Sequence, residues 1–174
     1  MLIITIIAIS LSACHKKSNT HVVVYNTSVD VPLHHWTSTD TLFYPIHVEE
    51  EPNIKSPICT HTDYQIRLSW RYELEFPLIS LPATFCFQQM DTTQGQLRIS
   101  RLISRHKIEP TIRDEEGLPI GDGWGSLYEH QETMKDFTLC FDQPGIYRIL
   151  IIPDFRGVPE GINGMVSMGL ELYE

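Results

Sequence analysis

Tyr64-Gln65-Ile66-Arg67-Leu68-Ser69-Trp70-Arg71-Tyr72 alternates without a break. Tyr64, Ile66, Leu68, Trp70 and Tyr72 fall on one side of an extended chain, and Gln65, Arg67, Ser69 and Arg71 on the other. A period of two held this long is the pattern of a half-buried antiparallel strand, one face packed and one face wet. A helix over the same stretch would scatter its apolar residues around the circumference.

The flanking chain carries the same signal in shorter pieces. Residues 42–48 are apolar on both sides, and Pro45 predicts an edge strand or a bulge. Residues 21–24 make a β-branched first strand, broken up by Asn26-Thr27-Ser28 and Pro32. The segment to Asp63 reads as loop. Residues 83–87 resume a strand, and 88–96 read as a polar turn. Residues 97–103 and 106–113 suit a hairpin around Ser104-Arg105, with a helix over 97–108 as the competing reading. Residues 126–129 suit a short strand. Phe137, Leu139 and Phe141 alternate, and Tyr147, Ile149 and Ile151 alternate with Arg148, Leu150 and Ile152 in a strand expected to be central. A loop over 153–164 precedes a final strand with Val166, Met168, Leu170 and Leu172 facing in. Short strands separated by turn signals, with no long helical period, predict an all-β fold. The expected architecture is a single antiparallel β-sandwich, jelly-roll or Ig-like.

The N-terminus carries a different message. Residues 1–13 form an apolar run closing on Leu11-Ser12-Ala13-Cys14. The run is shorter than the roughly 20 residues of a membrane-spanning helix, so it reads as a secretory signal. A branched residue three before a cysteine, with two small residues between, looks like a bacterial lipoprotein signal. Lipidation at Cys14 is therefore expected, with residues 14–21 as a short tether and 22–174 as the domain. No Lys or Arg precedes the apolar run, which departs from the usual signal. Two acyl chains would hold such a protein stably in a bilayer, and Lys16 and Lys17 suit an anionic lipid surface.

The formal net charge is -9, and residues 1–13 contribute none of it. An acidic domain is a poor candidate for nucleic acid or for broad contact with anionic lipid. Besides Cys14 there are Cys59, Cys86 and Cys140. Export permits disulfides, but Cys86 and Cys140 sit among large apolar residues and read equally as buried thiols.

Chemistry-bearing motifs are sparse. There is no Gly-x-Ser-x-Gly elbow, His-Glu-x-x-His helix, phosphate loop or Rossmann fingerprint. Gly121-Asp122-Gly123-Trp124-Gly125 lacks the Lys and helix of a phosphate cradle and reads as a turn or bulge. Cys59, His61 and Asp63 occupy alternate positions that an extended chain would put on one face, but a metal needs further ligands; a polar loop is the expectation. His34-His35 reads as a solvated pair. The acidic runs 49–51 and 114–116 read as solvated faces. Trp70 is expected in the core, and Trp124, between glycines, is expected to be exposed. No enzyme activity, metal or cofactor is expected.

The order of features resembles the gliding-motility lipoprotein family GldH of Bacteroidetes. The lipobox is followed by Trp36-Thr37-Ser38-Thr39-Asp40 ahead of an apolar strand, then by Arg71 and Phe76-Pro77. Asp114 or Glu115 with Gly117 precedes the glycine-rich turn. Gly145-Ile146-Tyr147, Arg156, Gly161-Ile162 and Gly169-Leu170 close the order. Ser80 stands where the family tends to have Asn, Trp124 comes later than the family's Trp, and Phe155 replaces a Met. These departures mark a divergent member.

The resemblance implies an accessory outer-membrane lipoprotein of gliding motility or the associated secretion machinery. Its partners would be the membrane, through acyl chains, and other outer-membrane or periplasmic proteins. Trp124, Phe155 and Arg156 are the candidate interaction surface. Residues 15–20 contain no Asp or Glu, and in Bacteroidetes surface export tends to follow acids at that place, so the domain is expected to face the periplasm. The alternative is a lipid-anchored glycan- or ligand-binding module using exposed aromatics.

Overall fold

A computed structural model describes residues 22–50, 58–93, 95–156, 158 and 160–174. The signal, Cys14, the tether to residue 21 and Glu51 lie outside the described residues. The strands are β1 (Val23–Asp30), β2 (His35–Trp36), β3 (Leu42–Val48), β4 (Asp63–Glu73), β5 (Ala83–Thr93) and β6 (Gln96–Ile108). They continue with β7 (Asp122–Trp124), β8 (Leu127–Cys140), β9 (Gly145–Pro153), β10 (Ile162–Asn163) and β11 (Met165–Tyr173). One 3-10 turn, Pro32–His34, is the helical element among the described residues.

Two antiparallel sheets pack together, as in a β-sandwich. Sheet one runs β1-β11-β4-β8-β7, sheet two runs β3-β9-β5-β6, and β10 pairs with β2. The long alternating stretch is β4, held between β11 and β8. Its inward row Tyr64, Ile66, Leu68, Trp70 and Tyr72 is wholly buried. Opposite lie Tyr44 and Ile46 of β3, Phe85 and Phe87 of β5, and Tyr147, Ile149 and Ile151 of β9, all buried. Phe87 and Tyr147 meet Phe141 edge-on at 5.3 and 5.0 Å between ring centroids. Such aromatic pairs add about 1 kcal/mol each beyond the area they bury. Pro45 sits on an edge strand, where the missing donor costs nothing.

Several expectations need correction. Asn26, Thr27 and Ser28 do not interrupt β1; as an edge strand it needs only the ladder to β11. The turn over 88–96 contracts to the tip beside Gly95, because β5 continues to Thr93. Neither a hairpin at Ser104-Arg105 nor a helix over 97–108 forms. β6 runs through the whole stretch, and two bulges against β5, at Phe87/Gln88 and Gln89/Met90, scramble its period. The short strand at 126–129 and the Phe137 segment are one strand, β8. A wide bulge lets Tyr64 pair with Leu139 while Ile66 pairs with Met134. In β11 a register shift between Met165 and Ser167 buries Met165 and leaves Val166 half-buried.

Antiparallel pairing sorts the connections to two poles. The turns after β1, β4 and β6, the β7–β8 turn and the connection after β9 gather at one end, here the loop pole. The connections after β3, β5 and β8 lie at the other end, together with Val22 and Glu174.

Candidate functional site

Trp124 stands at the tip of the β7–β8 turn and is 93% exposed. The glycines around it are there for space as well as for φ. Gly121 and Gly125 have φ of 109° and 68°, values that favour glycine. A Cβ on Gly121 would collide with the Glu129 carbonyl, and one on Gly123 would sit 2.6 Å from the Tyr128 ring. The two strands are thus pressed together, and the indole is pushed out at their end.

Other tips are tied alongside. Leu33 and His34 both have φ of 54°, and the Leu33 side chain is 97% exposed. Two consecutive non-glycine residues in the left-handed region carry backbone strain. The strain is held by neighbours. His34 Nδ1 lies 2.7 Å from Glu73 Oε1. Gly164 N–H donates to the His34 carbonyl, and Glu73 N–H to the Gly164 carbonyl. Leu74 N–H donates to the Ser126 carbonyl, which sets the Leu33, Leu74 and Trp124 tips in one layer. His35 Nδ1 lies 2.6 Å from Asn163 Oδ1. His34 is exposed and His35 half-buried, as expected of a solvated pair, and both also fasten this pole.

Arg113 closes the layer from the side. Its guanidinium donates to the carbonyls of Leu74, Phe76 and Gly117. Asp114 Oδ1 accepts from the N–H groups of Glu116 and Leu118, so this carboxylate is a turn cap. Ile79 and Leu118 are also exposed here. Trp36 and Asp40 close their own turn: Trp36 Nε1 donates to the Asp40 carbonyl at 2.7 Å, and Asp40 Oδ2 accepts from Thr37 N–H and Oγ1. Gly161 presses on the Trp36 carbonyl, where a Cβ would stand 2.7 Å away.

Phe155 is not on the surface. It is 5% exposed and meets Trp36 edge-on at 5.5 Å, so its ring belongs to the core. Arg156 is exposed, with Nε 2.9 Å from Asp154 Oδ1. That hydrogen bond holds the Asp154 carboxyl below its usual range. An exposed pair of this kind contributes little to stability. Of the three expected surface residues, Trp124 and Arg156 present side chains to solvent. They do so on different turns.

Cys59, Cys86 and Cys140 are free thiols. Burial raises the pKa of Cys86 and of Cys140, the opposite of what an attacking thiolate needs. His61 takes φ of 60°, which breaks the extended run needed to put Cys59, His61 and Asp63 on one face. Cys59 Sγ instead contacts Thr62 Oγ1 at 3.4 Å and Tyr64 Oη at 3.5 Å. No group of three or more His, Cys, Asp or Glu among the described residues is placed to hold a metal ion.

Leu33, Ile79 and Arg113 escaped the sequence reading. Pro32 ahead of Leu33 marked a turn, but nothing local marked the left-handed backbone. Comparison of the chain with protein-family models, with curated proteins and with solved structures finds no match in any of the three.

Proposed function

We propose that this chain is a lipid-anchored jelly-roll sandwich acting as an accessory structural or interaction component of outer-membrane gliding-motility or associated secretion machinery. Cys14 carries the acyl chains, and the domain faces the periplasm. The β1-β11-β4-β8 and β3-β9-β5-β6 orders, with β7 added at the edge of sheet one, support the jelly-roll reading, in which two sheets are built from Greek keys. The observation that carries the interaction reading is the polarity of the domain. The chain enters beside Val22 at one pole, and Leu33, Leu74 and Trp124 stand exposed at the other. That leaves three exposed apolar side chains at the pole away from the chain start, where a protein partner can reach them. No catalytic role is proposed.

A glycan-binding module is the second reading, with Trp124 as the stacking ring. Its aliphatic neighbours favour a protein partner. The test is crosslinked co-purification of the lipidated protein from its own cells, comparing the native chain with Trp124→Ala. Recovery of defined outer-membrane proteins that is lost in Trp124→Ala supports the reading. Glycan-array binding with no such partner reverses the ranking. Cys14→Ala should move the protein out of the membrane fraction, and unchanged fractionation removes the anchor.

A further inference from the structure

The outer faces of the two sheets differ in kind. Sheet one follows the usual rule for an antiparallel sheet with a wet side. Its exterior pairs Arg67 with Glu171 at 3.0 Å and Arg71 with Glu129 at 3.6 Å, and Asn26 also bonds Glu171. Sheet two does not follow it. Phe43, Leu150, Cys86 and Arg105 lie side by side across its four strands, on the side opposite the core, with Leu150 and Cys86 covered by their neighbours and Phe43 and Arg105 open to solvent. The neighbouring rows add Ile152 and Lys107 on one side, and Pro45, Arg148 and Leu102 on the other. Ile146, Met90 and Ile99 form a further row. Phe43 and Leu102 are both 51% exposed and Ile99 is 52% exposed.

The charge on this face is as unusual as its hydrophobicity. Its strand positions carry Arg105, Lys107 and Arg148, and no Asp or Glu among the described residues. Arg148 spreads over the Phe43 ring at 5.8 Å and donates to Gln88 Oε1 at 2.8 Å. Glu49 stands at the border, 3.2 Å from His47, and Asp154 at another, within electrostatic reach of Lys107. In a chain of net charge -9 this is a local reversal of sign.

We infer that the outer face of sheet two lies on an anionic lipid bilayer, with Phe43, Ile99 and Leu102 in the interface and Arg105, Lys107 and Arg148 on lipid phosphates. A face with exposed apolar residues and cations at its strand positions, and carboxylates at its border, is complementary to such a surface. A second copy is a poor occupant, since two such faces would oppose cation to cation. The position of the chain start agrees. β1 leaves alongside β3, where Tyr25 Oη donates to the Pro45 carbonyl at 2.9 Å. From Cys14 to Val22 an extended chain reaches at most roughly 28 Å. Four strands span only about 15–20 Å, so an anchored domain can lie flat on this face. The inference rests on the lipid anchor proposed above and adds the orientation.

The test uses the full chain as cells make it, with Phe43→Trp as reporter, on phosphatidylglycerol–phosphatidylcholine vesicles whose acyl chains are brominated. The reporter's emission should fall about twofold, while Trp124 in the native chain stays unquenched. Arg105→Glu with Lys107→Glu should weaken that quenching at least about tenfold. Leu102→Asp, at an exposed position, should also weaken it with the circular dichroism spectrum unchanged. Flotation with the vesicles but no reporter quenching overturns the orientation and leaves the anchor standing. Failure to float overturns both. Equal quenching on pure phosphatidylcholine overturns the role of the anionic headgroup. A reporter already shielded from aqueous quencher without lipid, in a particle heavier than one chain, assigns the face to a protein instead.

Discussion

Tyr44 of β3 donates its hydroxyl to the carbonyl of Met168 in β11, 2.8 Å away across the sandwich. Both residues are wholly buried, so the bond clamps the edge of sheet two to an interior strand of sheet one. Tyr44→Phe keeps the ring and removes the donor, leaving a buried carbonyl one partner short. The expected cost is about 1–2 kcal/mol in denaturant unfolding, with an unchanged slope.

Gly121→Ala should be more damaging than its surface position suggests. The new methyl meets the Glu129 carbonyl, and φ of 109° disfavours any side chain. A loss of about 2–4 kcal/mol is expected. Gly117→Ala is the control: φ is 81°, with nothing within 4 Å of its Cβ, and a loss of about 1 kcal/mol is expected. Thermal melts of the two variants side by side check the order.

Alkali should unfold this protein through its tyrosines. Burial pushes the Tyr25 phenol up to about 12. Tyr64 also reaches about 12, by burial first and then by its hydrogen bond to Cys59. Tyr44 is raised further in the same direction. A folded pKa above the unfolded value of about 10 stabilises fully below pH ~10, and that contribution is lost as pH rises toward 12. Tyrosinate absorbance should therefore appear together with the loss of β-sheet signal, in one transition above pH ~10.

Trp124→Ala and Phe155→Ala should separate surface from core. Trp124 is exposed, so its removal should change stability by less than about 0.5 kcal/mol. Phe155 packs on Trp36, so its truncation should cost about 3 kcal/mol or more and red-shift the Trp36 emission. Equal effects from the two variants would contradict these placements.

The sequence by itself determined the strand class. The alternation of β4, the inward row of β9 and the punctuation by Gly, Pro and Asp are local, since backbone extension and side-chain period are properties of a few adjacent residues. It also marked Trp70 as core and Trp124 as exposed, from the strand face of one and the glycines around the other. Tertiary structure decided what depends on residues far apart in the chain. Phe155 is buried because β10 and β2 bring Trp36 over it. β6 is one strand because bulges against β5 absorb its broken period. Phe43, Ile99 and Leu102 share one outer face because the register of β3, β9, β5 and β6 turns them the same way. Each strand apolar on both sides was visible alone, but an exposed apolar surface exists only once neighbouring strands fix which side faces out.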